Sequence, residues 1–478
     1  MSSEPAKTVT SSALVPQSAS IPRAAPVPPR EGHGESLLEV RGTVPIPHPR
    51  EGFFRTWLAF SGPALLVSVG YMDPGNWSTD LSAGAEYRYA LLWVVALSSL
   101  MAIILQICAA KLGVVTGKDL ARASRDYAPR WTRWPNWFTT ELAIAACDLA
   151  EVLGSAVAIH LLFPPIPLIF AVVITSADVL LLIALQGLGF RKIESFILIL
   201  VSTIAGCYFI ELFVFGHAYR DASAIGTSLF QPRFPDHRAL LIGIGIIGAT
   251  VMPHNLYLHS AMVQTRKLQK DDHSIRRAIR YNAFDSTVAL SLAFLVNAAI
   301  LILAATTFFG KSGLTFPGSN GQPVPIGNDW IQGAFHTLSP LLGAGAASIL
   351  FAIALLASGQ SSTITGTLAG QVVMEGFMSW NIRPWVRRLV TRLLAILPAI
   401  IVIGYYGDQR VNDLLNFSQV ILGLQLPFAM IPLLIFTSSR RIMGPYTNSL
   451  PLKIAGWTSA VLITALDMYL IITSFTSS

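Results

Sequence analysis

Two short stretches of the chain carry groups able to hold a metal ion. Tyr71-Met72-Asp73-Pro74-Gly75-Asn76 offers an anionic oxygen at Asp73 and an amide oxygen at Asn76. Gly248-Ala249-Thr250-Val251-Met252-Pro253-His254-Asn255 adds the thioether of Met252. Pro74 and Pro253 lie 179 positions apart, and so do Asn76 and Asn255, so the two stretches share the pattern x-Pro-x-Asn. Proline removes a backbone donor and clashes with the preceding turn, and Gly75 adds backbone freedom, so each stretch should break a helix. Such a break exposes carbonyls and helix-end dipoles, where an ion can exchange its water shell for protein oxygens. All-oxygen shells suit Mg²⁺ and Ca²⁺, whereas a thioether suits softer transition metals. Alone, Met252 would read as packing; beside Pro253 and in register with Asp73 it reads as a ligand.

A second group of chemically active residues lies elsewhere. Glu141, Asp148 and Glu151 are spaced by 7 and 3, which puts them on one helical face as an acidic stripe. Glu141 fits a helix-end residue as well as a functional one, but Asp148 and Glu151 sit among Ala and Leu. Acids at such depth form proton relays or ion pathways, with proton affinities moved by burial and neighbours. His254 and His259 add groups of the type that titrates near neutral pH.

The elements that must position these residues follow from composition. The chain has 478 residues, 53% hydrophobic and only 12% charged, about half the charge of an average soluble domain. That excludes a soluble enzyme, a disordered chain and a nucleic-acid-binding protein. From about Trp57 onward the sequence runs through about eleven apolar stretches near the ~20 residues needed to cross a bilayer: 57–83, 89–115, 138–162, 166–188, 193–216, 239–265, 285–309, 342–370, 388–406, 413–436 and 454–474. None alternates as a barrel strand would, so the expected class is an all-α polytopic membrane protein. The three cysteines all fall in apolar runs and imply no disulfide framework.

Before the first span, residues 1–50 hold nine of the 29 prolines and no apolar run, and read as a disordered, uncleaved tail. Counting Lys and Arg in alternate connections gives 25 on the side of the N-terminus against 6 on the other, with Lys111 and Arg392 inside spans. The positive-inside rule therefore puts the N-terminus in the cytoplasm, and an odd number of spans puts the C-terminus outside the cell or in the periplasm. The expected membrane is the plasma (inner) membrane. Spans one and six lead two five-helix sets, residues 51–236 and 237–436, followed by an eleventh helix and short external C-terminus at 437–478. An odd number of spans per set inverts the second against the first, and broken helices at matching places in inverted repeats point to a transporter's substrate site.

The paired motifs Asp73-Pro74-Gly75-Asn76 and Met252-Pro253-His254-Asn255 closely resemble those of the Nramp family of divalent-metal transporters, over about Trp57 to Leu470. The resemblance implies a LeuT-type fold, a 5+5 inverted repeat plus one helix, and proton-coupled uptake of Mn²⁺, Fe²⁺ and related ions. It implies Asp73, Asn76, Met252 and the carbonyl of Ala249 as metal ligands, with Gln419 approaching the ion in some states. It also points to Arg387 and Arg388, at the start of the ninth span, as partners of the acidic stripe, with Asp73 itself on the proton route. Metal and protons are then cargo rather than cofactor, the lipid bilayer is the surroundings, and no protein partner, nucleic acid or enzymatic reaction is expected.

Three other readings compete. A LeuT-type carrier of an organic solute would present small residues and free amides at the sixth-span break, where Met252 stands instead. A Mg²⁺ transporter of related fold should lack the thioether. An intramembrane hydrolase built on Asp148 and Glu151 would leave the twin breaks without a purpose.

Overall fold

The computed structural model describes residues 36–37, 41–46, 52–177, 190–209, 221–269, 271–310, 315–317, 323–325, 330–331, 333–335, 346–380, 382–407 and 410–476. In chain order the helices are α1 (Phe53–Phe60), α2 (Pro63–Ser68), α3 (Pro74–Tyr87), α4 (Leu92–Thr116), α5 (Leu120–Tyr127), α6 (Arg133–Leu162), α7 (Leu168–Ile174), α8 (Phe190–Phe209) and α9 (Ala222–Ser228). They continue with α10 (His237–Val251), α11 (Pro253–Met262), α12 (Asp272–Thr307), α13 (Ala346–Met378), α14 (Pro384–Tyr406), α15 (Val411–Ser438), α16 (Arg440–Met443) and α17 (Leu450–Thr476). Between α12 and α13 a small hairpin, unforeseen in the sequence, pairs β1 (Thr315–Pro317) with β2 (Pro323–Pro325) antiparallel, Thr315 opposite Pro325.

Eight stretches of the described chain are long and apolar enough to cross a membrane, among them His237–Thr265, which holds both α10 and α11. Three shorter apolar stretches, Pro63–Met72, Leu168–Ala177 and Leu198–Cys207, fall in the expected first, fourth and fifth spans. Eight of the eleven expected spans are thus matched by helices of crossing length, while residues 178–188, 210–216 and 342–345 of the expected fourth, fifth and eighth spans lie outside the described residues. The protein is an integral membrane protein.

Local sequence explains where the helices start. Four of them, α3, α5, α10 and α12, begin on an aspartate whose carboxylate accepts the backbone N–H three residues on: Asp73 from Asn76, Asp119 from Arg122, Asp236 from Ala239 and Asp271 from Ser274. These caps satisfy a backbone donor that would otherwise lack a partner. The first span breaks twice rather than once. Besides the break at Pro74, Pro63 starts α2 after Gly62, whose φ of 133° is open only to glycine without strain. Proline alone does not decide the matter, since Pro398, Pro427 and Pro432 lie inside continuous helices.

The tail reading also needs correction. Ser36–Leu37 and Arg41–Ile46 have defined structure, and Val44 forms a parallel bridge with Arg266, its N–H donating to Thr265 O at 3.0 Å. Leu37 and Val44 are buried. The proline-rich average of the first 50 residues hides these few apolar anchors; the rest of the expected tail before Ser36 lies outside the described residues.

Packing places the breaks at the centre. The third-span helix α6 lies against α13 and α15, α3 lies against α12, and α10 against α15. The last contact requires glycine: a Cβ on Gly248 would run into the carbonyl of Gln419 and the backbone of Gly423. The formal Gly-x-Gly-x-x-Gly at 243–248 therefore serves helix packing, as its place inside a span predicts.

Candidate metal site between two broken helices

The Asp-Pro-Gly-Asn stretch is a helix start. Asp73 is the N-cap, Pro74 occupies the first helical position where its missing N–H costs nothing, and Asp73 Oδ1 accepts the Asn76 N–H at 2.8 Å. One carboxylate oxygen is thus spent on the helix. The other, Oδ2, is buried and has no hydrogen-bond partner among the described residues.

The sixth span breaks by the same chemistry. α10 ends and α11 begins on Met252, with Pro253 again at the first helical position. Met252 has φ 35° and ψ 101°, a conformation that L-residues adopt at a cost of roughly 1–2 kcal/mol. In an unbroken helix the carbonyl of Ala249 would accept the N–H of residue 253; that residue is proline, so the carbonyl loses its helical partner. This gives a physical reason for the Ala249 carbonyl to be available.

Several contacts bring the two breaks together. The Cα of Gly70 faces Met252 Sδ and the Asn255 side chain, with a built Cβ only 3.1 Å from the sulfur. Asn255 Nδ2 lies 3.3 Å from Met252 Sδ and holds the thioether in place. Gly75 lies directly under the Gln419 amide of α15, which has no room for a Cβ there, and Gly154 of α6 meets the ring of Pro74. Asp73, Asn76, Ala249, Met252 and Gln419 are all buried. Asn76 Oδ1 and Gln419 Oε1, like Asp73 Oδ2, find no hydrogen-bond partner among the described residues. Buried polar atoms left this way are costly unless something else meets them. Three side-chain oxygens, a freed carbonyl and a thioether suit a divalent ion of intermediate softness. Among the described residues no three His, Cys, Asp or Glu side chains cluster as a metal site, and this set contains a single carboxylate.

Other carbonyls at the first break are engaged. Asn297 Nδ2 donates to Tyr71 O at 2.9 Å, and Trp77 Nε1 donates to Met72 O at 3.1 Å, as does Ser358 Oγ. Below the breaks, on the α11 side, Gln106 Nε2 donates to Tyr71 Oη at 2.7 Å and His259 Nδ1 pairs with Gln106 Oε1 at 2.9 Å. Gln425 and Tyr257 meet at Thr140, linking α15, α11 and α6. His254 is buried, with Nδ1 unpartnered among the described residues. Sequence reasoning did not find Tyr71, Gln106 or Asn297; their roles come from contacts across helices far apart in the chain.

The acidic stripe has its basic partners on α14. Arg387 Nη2 donates to Glu141 Oε2 at 2.7 Å, while Arg388 bridges Asp148 and Glu151, the latter at 2.9 Å. Arg387 therefore pairs with Glu141 at the outer end of the stripe rather than with Asp148 or Glu151. Arg388 reaches the deeper pair because α14 enters beside α6 and brings it one residue further in. Arg392, which the sequence only counts as lying inside a span, is fully buried and donates to Thr363 Oγ1 at 3.0 Å and to Asp148 O at 3.4 Å. Ser362 and Thr363 of α13 donate to the two oxygens of Glu151 at 2.9 and 3.2 Å. Glu141 to Glu151 spans about 15 Å of helix. Its inner end lies one turn from Gly154, which touches Pro74. Two groups of paired charges, Arg388 with Asp148 and Glu151 and Arg387 with Glu141, thus lie along α6 between the first break and its start.

A family profile described as natural resistance-associated macrophage protein-like, Nramp, matches residues 64–473. The divalent metal cation transporter MntH of Nostoc sp. is 49% identical over 439 residues, 92% of this chain and 96% of its own. The protein of the same name from Listeria innocua is 48% identical over 442 residues, 92% and 95% of the two chains. Among solved structures, the manganese transporter of Eremococcus coleocola superposes with a TM-score of 0.81 at 40% identity, covering 91% of this chain and 90% of that one. Mhp1, a nucleobase-cation-symport-1 family transporter, aligns with a TM-score of 0.52 at 13% identity over 87% of this chain and 93% of its own, a likeness of fold alone.

Proposed function

The chain belongs to the Nramp family, and from that premise we propose that it is a secondary transporter importing divalent transition-metal ions, Mn²⁺ and Fe²⁺ among them, coupled to protons by alternating access. It is not an enzyme. The observation that carries the choice of cargo is the pairing of an unspent Asp73 oxygen with a thioether that Asn255 holds against the first break. Asp73, Asn76, the Ala249 carbonyl, Met252 and Gln419 form the cage for the ion. Met252 turns selectivity away from Ca²⁺ and Mg²⁺, because a thioether adds little for ions that want all-oxygen shells.

Protons take the row of Glu151, Asp148 and Glu141 with Arg388 and Arg387, and Asp73 starts that row; His254 and His259 line the α11 side. A relay needs groups that can change charge, whereas a metal cage needs groups that stay deprotonated while the ion is bound, so apart from Asp73, which joins the two, the cage and the row on α6 sit on different helices. Residues 51–236 and 237–436 form the inverted five-helix repeats, and 437–478 add the last helix. The N-terminus faces the cytoplasm of a cell whose plasma membrane holds the protein, and the C-terminus lies outside.

The test is competition uptake by Met252→Ala proteoliposomes. Weaker Mn²⁺ transport with new inhibition by excess Ca²⁺ supports the cage; selectivity equal to that of the parent makes Met252 a packing residue and removes the softer-metal reading.

A further inference from the structure

Ser36–Leu37 and Arg41–Ile46 lie on the face of the protein where α4, α11 and α13 end. Leu37 N–H donates to Glu375 Oε2 at 2.9 Å and Ser36 Oγ to Val372 O at 3.4 Å, both near the end of α13. Arg41 Nη2 donates to Gly117 O, the C-cap of α4, at 2.8 Å. Gly42 and Val44 donate to Gln264 O and Thr265 O at 3.0 Å each, and Lys267 N–H donates back to Val44 O at 2.9 Å, just past α11. Leu37 is buried in the main core cluster although its φ is 53°. A non-glycine residue keeps such a conformation only where its surroundings over-determine it.

A second staple joins the moving pieces to each other. The Arg266 guanidinium, itself buried, donates to Ala59 O at 3.2 Å and Ser61 O at 2.6 Å, tying the end of α11 to the α1–α2 turn. In a carrier that rocks around broken helices, the half-helices α1–α2 and α11 must part from α6 and α13 to open this face. α6 and α13 pack tightly on each other. Ser36 and Leu37 sit on α13 on one side of that seam, and Gly42 and Val44 beside α11 on the other.

We infer that the two short pieces Ser36–Leu37 and Arg41–Ile46 act as a latch that holds this face of the transport path shut, and that its release is a condition of opening. The inference rests on the alternating-access reading above but adds a regulatory element that the transport site itself does not contain. The glutamate acceptor at Glu375 and the three backbone bonds beside α11 are its fastenings.

The reporter is Cys147, which is buried and packed with Met252. In a chain whose other two cysteines, Cys108 and Cys207, are changed to Ala, Cys147 is labelled only when a path to the site opens. Labelling by a membrane-impermeant maleimide is followed in vesicles of both orientations for the parent, for a chain lacking residues 1–46, and for Val44→Pro and Leu37→Ala. Val44→Pro removes one donor of the latch, and Leu37→Ala its buried anchor. Because each of these hydrogen bonds contributes net stability, loss of several should speed labelling from the latch side about tenfold or more, with smaller increases for the point variants. Labelling from the opposite side should not speed up. A latch-side rate equal to the parent's in the shortened chain overturns the proposal; if that chain does not fold, an unchanged rate in both point variants does so instead. Mn²⁺ titration of the same preparations separates the two readings. A parent that binds no Mn²⁺ defeats the metal-import reading and leaves the labelling result to judge the latch.

Discussion

Asp73 performs two tasks with one carboxylate, and substitutions separate them. Oδ1 caps α3 through the Asn76 N–H, while Oδ2 is left for the ion. Asp73→Asn keeps an oxygen for the cap and removes the charge; Asp73→Ala removes both. Loss of an N-cap costs about 1 kcal/mol, so the Ala variant should be less stable than the Asn variant by about that amount. For the ion, a hydrogen bond to a charged group is worth roughly 1.5–3 kcal/mol, and the sole carboxylate of a divalent-cation cage should exceed the upper figure. Both variants should therefore lose about 100-fold or more in Mn²⁺ affinity. Isothermal titration with Mn²⁺ beside thermal unfolding in detergent reads the two effects on the same samples. Parent-like Mn²⁺ affinity in Asp73→Asn would refute the assignment of Oδ2, and equal stability of the Ala and Asn variants would refute the capping account.

Other expectations follow from the same contacts. Asp148→Asn and Glu151→Gln should keep Mn²⁺ binding but lower metal-driven proton entry or uncouple it from uptake, as read by an intravesicular pH dye; loss of Mn²⁺ binding with proton entry intact would reverse the two roles. Arg388→Met, which leaves two buried carboxylates facing each other, should destabilise the fold by about 3–5 kcal/mol, visible as a drop in detergent melting temperature. Gly248→Ala should be poorly tolerated, at about 1–3 kcal/mol, because its Cβ meets the backbone of α15 rather than a side chain that can turn away. Size-exclusion profiles and melting curves would show whether it is.

What could be read in the sequence divides along physical lines. The class, eight of the spans and the two breaks were legible because hydropathy and proline act locally, and the repeat spacing of 179 put the breaks in register. The motif was read as a break; its second meaning, an N-cap and first-turn proline that leaves one carboxylate oxygen free, needed the backbone. The Gly62-Pro63 break went unnoticed because no chemically active residue marks it. Of the acidic stripe, the face was legible from spacing, while the division of Glu141 to Arg387 and the deeper acids to Arg388 depends on how α14 docks. Ser362, Thr363 and Arg392 looked like ordinary span residues, since each acts through a partner more than twenty-five positions away. Ser36–Leu37 and Arg41–Ile46 were obscured by their proline-rich neighbours, because two buried side chains and backbone bonds leave little trace in composition.

Import of a divalent transition metal through the cage between the two breaks is tested most directly by one paired recording. Mn²⁺ influx and intravesicular pH are followed together in proteoliposomes of the parent and of Asp73→Asn. The parent should take up Mn²⁺ in a saturable way with internal acidification that depends on the metal, and Asp73→Asn should show neither. Saturable Mn²⁺ influx of parental size through Asp73→Asn, or a folded parent that moves no Mn²⁺, would contradict it.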